Sequence, residues 1–372
     1  MRVIIAAAGT GGHINPGIAI ANKIKKEQPN SEIIFIGTTR GLENDLVPRA
    51  GYELKTIEAY GLSKKISISN IKKMLKTFEG FFQAKAIIKD FKPDIVIGTG
   101  GYICGATILA AHKQKIPTML HESNAFPGKA VKMLSNKVDR ILVGFNDARE
   151  RLENKEKVVL TGTPTKIKKI NFYDSEKREK LKEMGLNDEK SIILVFGGSQ
   201  GAQAINESIL GIIKNKLNEN YQIIWAVGPK QYDVIKEELE EMNVNINNIK
   251  GVKIFPYIYN MEEIMNLSDV VVCRSGAITI TEISKLGKPA IFIPLPNVSE
   301  NHQEYNARVL EKENAAKIIL NKDLKAEVLN ENINNIIKDK NKLETMGKNA
   351  QKIVIDNVEE KIYDEIKKIV KN

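Results

Sequence analysis

The stretch Val3-Ile4-Ile5-Ala6-Ala7-Ala8-Gly9-Thr10-Gly11-Gly12-His13 is an unbroken apolar run that stops on glycines and passes into a helix-like segment from Ile14 onward. A short run with no polar alternation is what a strand covered on both faces requires, and the glycines permit a tight strand-to-helix turn. The same pattern recurs where Ile192 to Phe196 is followed by Gly197, Gly198 and Gly201. Two more apolar runs end in this way, at Gly98, Gly100 and Gly101 and at Ser275 and Gly276. Turns of this kind let backbone approach a phosphate and aim unpaired N–H groups of a helix start at it. Their repetition predicts more than one phosphate-bearing ligand.

Outward from these turns, short apolar runs alternate with helix-length segments along the whole chain. In the first half they are Val3 to Ala8, Glu32 to Ile36, Asp94 to Ile97, Thr118 to Leu120 and Arg140 to Val143. In the second they are Ile192 to Phe196, Gln222 to Ala226, Val270 to Cys273 and Ala290 to Ile293. This alternation predicts an α/β chain with two Rossmann-like parallel sheets, each covered by helices on both faces. The polar, Lys-rich stretch from Thr163 to Ser191, which opens with Pro164 and carries a helix-like segment from Ser175 to Met184, reads as the linker beside an interdomain cleft.

The totals agree with two domains: 372 residues, with 42% hydrophobic and 27% charged side chains, exclude disorder. The longest uncharged run, Ile95 to Ala111, contains four glycines and falls short of the roughly 20 apolar residues that span a bilayer. The amino terminus lacks the zones of a signal peptide, so a cytoplasmic location is expected. Cys104 and Cys273 have no metal or disulfide spacing and read as core thiols. The net charge of +10 is unevenly placed, with 25 basic and 15 acidic side chains in residues 1–163 against 31 of each in 164–372. A basic first half attracts a polyanion, whether nucleic acid, anionic membrane or phosphorylated substrate.

Motif spacing narrows the chemistry. Ile14 stands where the dinucleotide fingerprint needs glycine, and no stretch has Walker A spacing, which argues against NAD and against an ATPase. No Asp-x-Asp offers an obvious carboxylate pair for Mg2+. A departing diphosphate would then be stabilised by helix N-termini and cationic side chains. His13, directly after the first glycine turn, can take a proton from an attacking hydroxyl at neutral pH. Glu122, within the cluster His121, Glu122 and Asn124 after a strand, is the rival base; it could equally orient His121 or bind a sugar hydroxyl. His112, near a helix end beside Lys113, reads as exposed. In the second half, Arg274 to Ala277 lead from a strand into a helix start suited to phosphate, with Glu282 placed for ribose hydroxyls. Asn301, His302, Gln303 and Asn306 are uncharged groups of the kind that read sugar hydroxyls.

Residues 60–92 hold eight lysines against Glu79 and Asp90. As one helix, at about 100° per residue, the stretch gathers Ile71, Met74, Leu75, Phe78, Phe81 and Phe82 into one stripe and Ala84, Ile87, Ile88 and Phe91 into another. One stripe serves the core; the other, flanked by Lys72, Lys73 and Lys76, has the character of a surface that dips into an anionic membrane. Gly80 offers a different outcome, splitting the helix and turning both stripes inward.

Taken together, Gly9 to His13 with Pro16 and Gly17, Gly98 to Tyr102, His121 to Ala125, Gly197 to Ala202, Cys273 to Ala277 with Glu282, and Gln303 to Ala307 closely resemble the MurG family of UDP-N-acetylglucosamine:undecaprenyl-pyrophosphoryl-muramyl-pentapeptide N-acetylglucosaminyltransferases. The resemblance runs from Gly9 to at least Asn306. It implies a GT-B fold of two Rossmann-like domains facing each other across a cleft. Residues 1–163 would take the acceptor and membrane, 164–357 the sugar nucleotide, and a last helix at about 358–372 would return to the first domain. It implies inverting transfer of N-acetylglucosamine to the muramyl C4 hydroxyl of lipid I, at the cytoplasmic face of the membrane, during peptidoglycan synthesis. His13 or Glu122 would act as base. Thr10, Gly11, Gly12, Asn124, Lys166, Ser199, Ile258, Ser275, Gly276, Ala277, Ile278, Thr279, Glu282 and Gln303 would hold the donor, with Gly100, Gly101 and Tyr102 beside the acceptor pyrophosphate.

Ile71, Lys72, Lys73, Met74, Leu75, Lys76, Phe78 and Phe82 would meet the membrane. No cofactor is required on this reading, with divalent-cation stimulation left open; other cell-wall synthesis proteins are further partners and nucleic acid is not. Four positions depart from the family pattern. Ser123 replaces Gln, Thr163 and Lys166 replace Asn and Arg, and His302 stands where Gln is common; Lys166 keeps the charge but loses the planar fork. Other readings are a UDP-N-acetylglucosamine 2-epimerase, which needs neither acceptor nor membrane, a diacylglycerol glycosyltransferase, a nucleotide-sugar sensor without catalysis, and a nucleic-acid-binding protein, for which no recognisable module is present.

Overall fold

Strand β1 (Arg2–Ala7) buries both faces, which is why its sequence shows no polar alternation. Val3, Ile5 and Ala7 point into one core with Ile14, Ile18 and Ile20, while Ile4, Ala6 and Ala8 point into another with Ala84, Ile88 and Ile103. The computed structural model describes residues 1–61, 67–198, 200–246 and 248–370. These fall into two compact units, Met1–Lys166 with Ile355–Asn372, and Ile167–Val354.

The first unit is built on a seven-stranded sheet of order β3-β2-β1-β4-β5-β6-β7, parallel throughout. Its members after β1 are β2 (Glu32–Gly37), β3 (Glu53–Thr56), β4 (Ile95–Gly100), β5 (Thr118–Glu122), β6 (Arg140–Val143) and β7 (Val158–Leu160). The chain order reverses direction between β1 and β4, the position at which open parallel sheets bind ligands. Helix α1 (Gly11–Glu27) follows β1, α2 (Glu43–Arg49) follows β2, α3 (Ile68–Phe91) precedes β4 and α4 (Ile103–Lys113) follows it. The C-terminal helix Val358–Val370 packs Ile362, Tyr363 and Ile366 into the α1 side of this core. Lys23 of α1 pairs with Glu360 of that helix at 2.8 Å.

The second unit repeats the plan in a six-stranded parallel sheet of order β10-β9-β8-β11-β12-β13. Its strands are β8 (Ser191–Phe196), β9 (Tyr221–Ala226), β10 (Val252–Phe255), β11 (Val270–Cys273), β12 (Ala290–Phe292) and β13 (Ala316–Ile318). The reversal falls between β8 and β11, where two of the glycine turns lie. Strands β3, β7, β10 and β13, at the four sheet edges, were not among the expected runs. Each is three or four residues long, and three of them carry a lysine, so their apolar signal is weak for the reason that edges are kept short and charged.

Helix α3 corrects the placement of Phe81 and decides the outcome left open at Gly80. It runs through Gly80 without a break, starting at Ser67, whose Oγ accepts from the Asn70 N–H at 3.2 Å. Gly80 is buried against the Glu58 carbonyl, into which any Cβ would run, so glycine here allows close docking and does not split the helix. Thr77 and Gln83, one turn to either side, hydrogen-bond the backbone N–H groups of Tyr60 and Glu58. That docking turns Phe81 inward to pack on the core with Ile87 and Phe91 rather than leaving it on the outer stripe. Ile71, Met74, Leu75, Phe78 and Phe82 stay between 48% and 63% exposed. Among the described residues no helix is long and apolar enough to cross a membrane.

Candidate active site

The first glycine turn is held from several directions. Gly9 has φ of +96°, a left-handed conformation that excludes most side chains, and delivers the chain to the start of α1 at Thr10. His13 lies in the first turn of that helix. Its Nδ1 is 3.1 Å from the Ala8 carbonyl oxygen. A carbonyl can only accept, so Nδ1 carries the proton and, in the neutral ring, Nε2 is left with its lone pair. The His13 carbonyl accepts from the Thr99 hydroxyl at 2.8 Å. Thr99 can do this because the β1–β4 register slips between Ala6 and Ala7, a bulge of the kind found beside functional sites.

Gly100 and Gly101, with φ of +133° and +81°, close the other side. A Cβ on Gly100 would stand 2.7 Å from His13 Cγ, and one on Gly101 would stand 2.7 Å from the Ala8 oxygen. These two glycines are therefore what lets the imidazole lie against the end of β4. Tyr102, 55% exposed, opens α4 beside them. Cys104 is buried beneath the turn and its Sγ lies 3.3 Å from the Gly100 N–H; burial pushes its thiol up to about 12, so it stays neutral.

Glu122 is in a different situation. Its Oε1 accepts from the backbone and side-chain N–H groups of Asn124, both at 2.9 Å, and its Oε2 from the Gly128 N–H at 2.7 Å. The carboxylate is buried and spends its lone pairs on shaping the loop that follows β5. His121 is buried too, donating from Nε2 to the Gly162 carbonyl at 3.1 Å and accepting from Ser123 at 3.4 Å. Burial lowers its pKa to about 4 against the weaker opposing hydrogen bond to Gly162, so it is neutral. Ser123, which departs from the family pattern, is the residue that hydrogen-bonds His121 here. Thr163, the second departure, is buried with its hydroxyl unpartnered, and Lys166 is exposed.

One residue in this neighbourhood escaped the sequence reading. Glu43 of α2 is fully buried; its Oε2 accepts from the Gly9 N–H at 2.9 Å and its Oε1 from the Thr38 N–H and hydroxyl at 2.9 and 2.7 Å. Burial opposes its charge, but the hydrogen bonds from Gly9 and Thr38 outweigh it and hold the carboxyl below the ordinary range. The available signal was the pair Gly37 and Gly41 shortly before a carboxylate at a helix start after β2. A Cβ at Gly37 would stand 2.7 Å from Glu43 Cγ, and one at Gly41 would run into its carboxylate.

The second unit carries the remaining donor candidates. Gly198 and Gly201 have φ of +92° and +78° after β8; Ser199 lies outside the described residues. After β11, Ser275 is buried and donates to the Gln303 carbonyl at 2.8 Å, while the Asn306 amide donates to the Ser275 carbonyl at 3.2 Å. This ties the start of the helix Ala277–Leu286 to the helix His302–Lys312. The Ala277–Leu286 start, with Gly276 as N-cap and Ile278 and Thr279 in its first turn, has no side-chain cap and no acidic residue there. Its N–H groups and positive dipole end are suited to an anion. Gln303 turns its side-chain oxygen to the Leu295 N–H at 2.9 Å, and His302 Nδ1 contacts the Ser299 carbonyl at 2.8 Å. Ile258 is buried, and its chain neighbours Tyr257 and Tyr259 are exposed. Thr10, Gly11, Gly12, His13 and the Gly100 to Tyr102 turn share the C-terminal end of the first sheet, while Asn124 and Lys166 follow later strands of the same unit.

Comparison with known proteins places these features in a family. Residues 3–143 match the glycosyltransferase family 28 N-terminal domain and residues 192–365 its C-terminal domain. A UDP-N-acetylglucosamine--N-acetylmuramyl-(pentapeptide) pyrophosphoryl-undecaprenol N-acetylglucosamine transferase from Acetivibrio thermocellus is 46% identical over 100% of this chain and 99% of its own. One of the same name from Thermoanaerobacter sp. is 44% identical over 99% and 100%. The crystal structure of Acinetobacter baumannii MurG superposes with a TM-score of 0.78 at 27% identity, covering 99% of each chain. With both family 28 domains, a GT-B fold and full-length relatives at this identity, the chain belongs to the MurG family of glycosyltransferases.

Proposed function

We propose that this protein transfers N-acetylglucosamine from UDP-N-acetylglucosamine to the C4 hydroxyl of the muramyl sugar of undecaprenyl-pyrophosphoryl-N-acetylmuramyl-pentapeptide, with inversion, forming lipid II for peptidoglycan synthesis. The names of its full-length relatives support the substrates. The observation that carries the mechanism is the tautomer of His13, whose Nδ1–H is committed to Ala8 and whose Nε2 is left as the acceptor. In this reading Nε2 takes the proton of the C4 hydroxyl as its oxygen forms a bond to the anomeric carbon. The bond from that carbon to the β-phosphate oxygen breaks, and UDP leaves with the electron pair. The first unit, through Gly100, Gly101 and Tyr102, takes the acceptor pyrophosphate.

The second unit holds the donor. The uncapped start of Ala277–Leu286, with Ser275 and Gly276, faces the diphosphate and stabilises the charge that develops on it. Ile258 offers backbone to uracil, Glu282 reaches the ribose and Gln303 the N-acetylglucosamine. Thr10, Gly11, Gly12, Asn124 and Lys166 of the first unit complete donor binding. Glu122, whose carboxylate already accepts three hydrogen bonds, keeps the Asn124 loop in shape, which favours His13 over it as base. Attachment to the cytoplasmic face of an anionic membrane is peripheral, through Ile71, Met74, Leu75, Phe78 and Phe82 with Lys72, Lys73 and Lys76, supported by the exposure of that apolar stripe.

The test is transfer from radiolabelled UDP-N-acetylglucosamine to a lipid-linked muramyl-pentapeptide acceptor in detergent or vesicles, with His13→Ala and His13→Gln beside the native protein. Labelled lipid product from the native protein, and turnover lower by about 10²- to 10⁴-fold in the variants with UDP-sugar binding retained, is the expected result. Absence of lipid product from the native protein would end the substrate assignment, and near-normal turnover in the variants would end the role of His13.

A further inference from the structure

The two hydrogen bonds made by the peptide unit between Ala8 and Gly9 run in series. On one side the Gly9 N–H donates to the Glu43 carboxylate at 2.9 Å; on the other the Ala8 carbonyl accepts from the His13 Nδ1–H at 3.1 Å. We propose that Glu43 is a positioning residue for the catalytic base, a buried carboxylate that acts on His13 through this single intervening peptide group.

The arrangement resembles a carboxylate–imidazole pair with an amide inserted between its members. A negative charge on the N–H side polarises the amide and makes its carbonyl a stronger acceptor. A stronger acceptor at Nδ1–H holds the ring in one tautomer, raises the basicity of Nε2 and stabilises the imidazolium that forms when Nε2 takes a proton. Glu43 stays ionised throughout; the proton from the acceptor hydroxyl remains on His13. The peptide cannot turn away from this role. The Gly9 carbonyl accepts from the Leu42 N–H at 3.3 Å, so the start of α2 grips Gly9 at both its polar groups. The Ala8 oxygen is enclosed by Gly101, whose Cα approach leaves no room for a Cβ. Glu43 itself is fixed by Thr38 and by the missing side chains of Gly37 and Gly41. A carboxylate buried this completely is costly unless it is hydrogen-bonded, and here both its oxygens accept from Gly9 and Thr38. Other titratable or charged groups on elements around the turn include Cys104 of α4, a neutral buried thiol, the exposed phenol of Tyr102, Arg40, which donates to the Ala59 carbonyl, and Glu122 at the end of β5, whose oxygens are occupied by Asn124 and Gly128.

This inference rests on the reading of His13 as base, but its physical core can be measured without any transfer reaction. The chain has four histidines, so ¹⁵N-histidine labelling of the full-length protein gives a resolvable spectrum in which His13 is identified by its loss in His13→Gln. In the native protein neutral His13 is expected to carry its proton on Nδ1, and the Gly9 amide proton is expected to shift with the His13 titration midpoint. In Glu43→Gln, which keeps the shape and removes the charge, the midpoint should fall by about one pH unit. The acid limb of kcat/KM should move with it, and kcat should drop about 10-fold while UDP-N-acetylglucosamine affinity holds. His13 protonated on Nε2 in the native protein, a Gly9 amide indifferent to its titration, or an unmoved midpoint in a folded Glu43→Gln would each overturn the proposal. The first two need no Glu43 variant, so a Glu43→Gln protein that fails to fold still leaves a decision. Lipid product absent while the coupled titration is present would remove the substrate assignment and leave the relay standing.

Discussion

Gly100 and His13 are one structural unit: the imidazole lies where a side chain on Gly100 would be, with His13 Cγ only 2.7 Å from the position of that missing Cβ. The glycine is doubly required, since its φ of +133° is also outside the range that other residues adopt without strain.

Gly100→Ala should therefore displace the His13 ring while leaving the second unit untouched. A misplacement of about 1 Å in a catalytic group can cost about 100-fold, and a fall in kcat of at least that order is expected. Steady-state kinetics with varied UDP-N-acetylglucosamine should find donor binding near normal; equal loss in both would contradict a defect local to His13.

In the second unit Gly201 plays a related part, with φ of +78° and its Cα against the Val227 carbonyl, into which a Cβ would run. Gly201→Ala should distort the turn after β8 and weaken UDP-N-acetylglucosamine binding about 10-fold, equivalent to about 1.4 kcal/mol. Trp225, the single tryptophan, lies on β9 two residues before Val227, so its fluorescence can report the titration. Unchanged donor affinity would show that this turn does not serve the nucleotide.

Acid stability should depend on His121. Its ordinary pKa of 6.5 is lowered to about 4 by burial, so the unfolded chain takes up the proton first as pH falls. The stabilising contribution of the neutral ring is complete above pH 6.5 and is lost on descent from 6.5 to about 4. At about 1.4 kcal/mol per pH unit of separation, the loss comes to about 3.5 kcal/mol. Urea unfolding between pH 7 and 5 would reveal the slope, and His121→Gln should flatten it; an identical slope in the variant would assign the effect elsewhere.

The outer face of α3 should act on membranes and not on folding. Phe78 and Phe82 are 63% and 52% exposed and meet edge to face at 5.0 Å. Replacing both by Ser removes about 1.5–3 kcal/mol of burial for each ring that enters a lipid interface, so binding to vesicles containing anionic lipid should weaken about 100-fold or more. Flotation or surface plasmon resonance measures this, alongside an unchanged Tm. Retained vesicle binding would move the membrane surface away from α3.

Legibility in the sequence follows the range of the interactions. The apolar runs and the glycines that end them are local signals, because a strand buried on both faces favours apolar residues throughout and a left-handed turn favours glycine. They were sufficient for two parallel sheets and for the glycine turns that end their strands. The edge strands β3, β7, β10 and β13 were less visible, since a half-exposed strand can carry Glu53 or Lys317 where a central one cannot.

What the chain order alone determined, then, is the architecture and the residues that line its turns, because each depends on neighbours within a few positions. Tertiary structure alone decided how the two candidate bases are held. Glu122 is occupied by Asn124 and Gly128, and His13 is oriented by Ala8, Thr99 and Gly100. It also decided that Gly80 docks α3 instead of breaking it, and that Glu43 reaches a peptide 34 residues away. Those outcomes depend on which lone pair meets which N–H across the sheet, and no local pattern of residue types encodes that meeting.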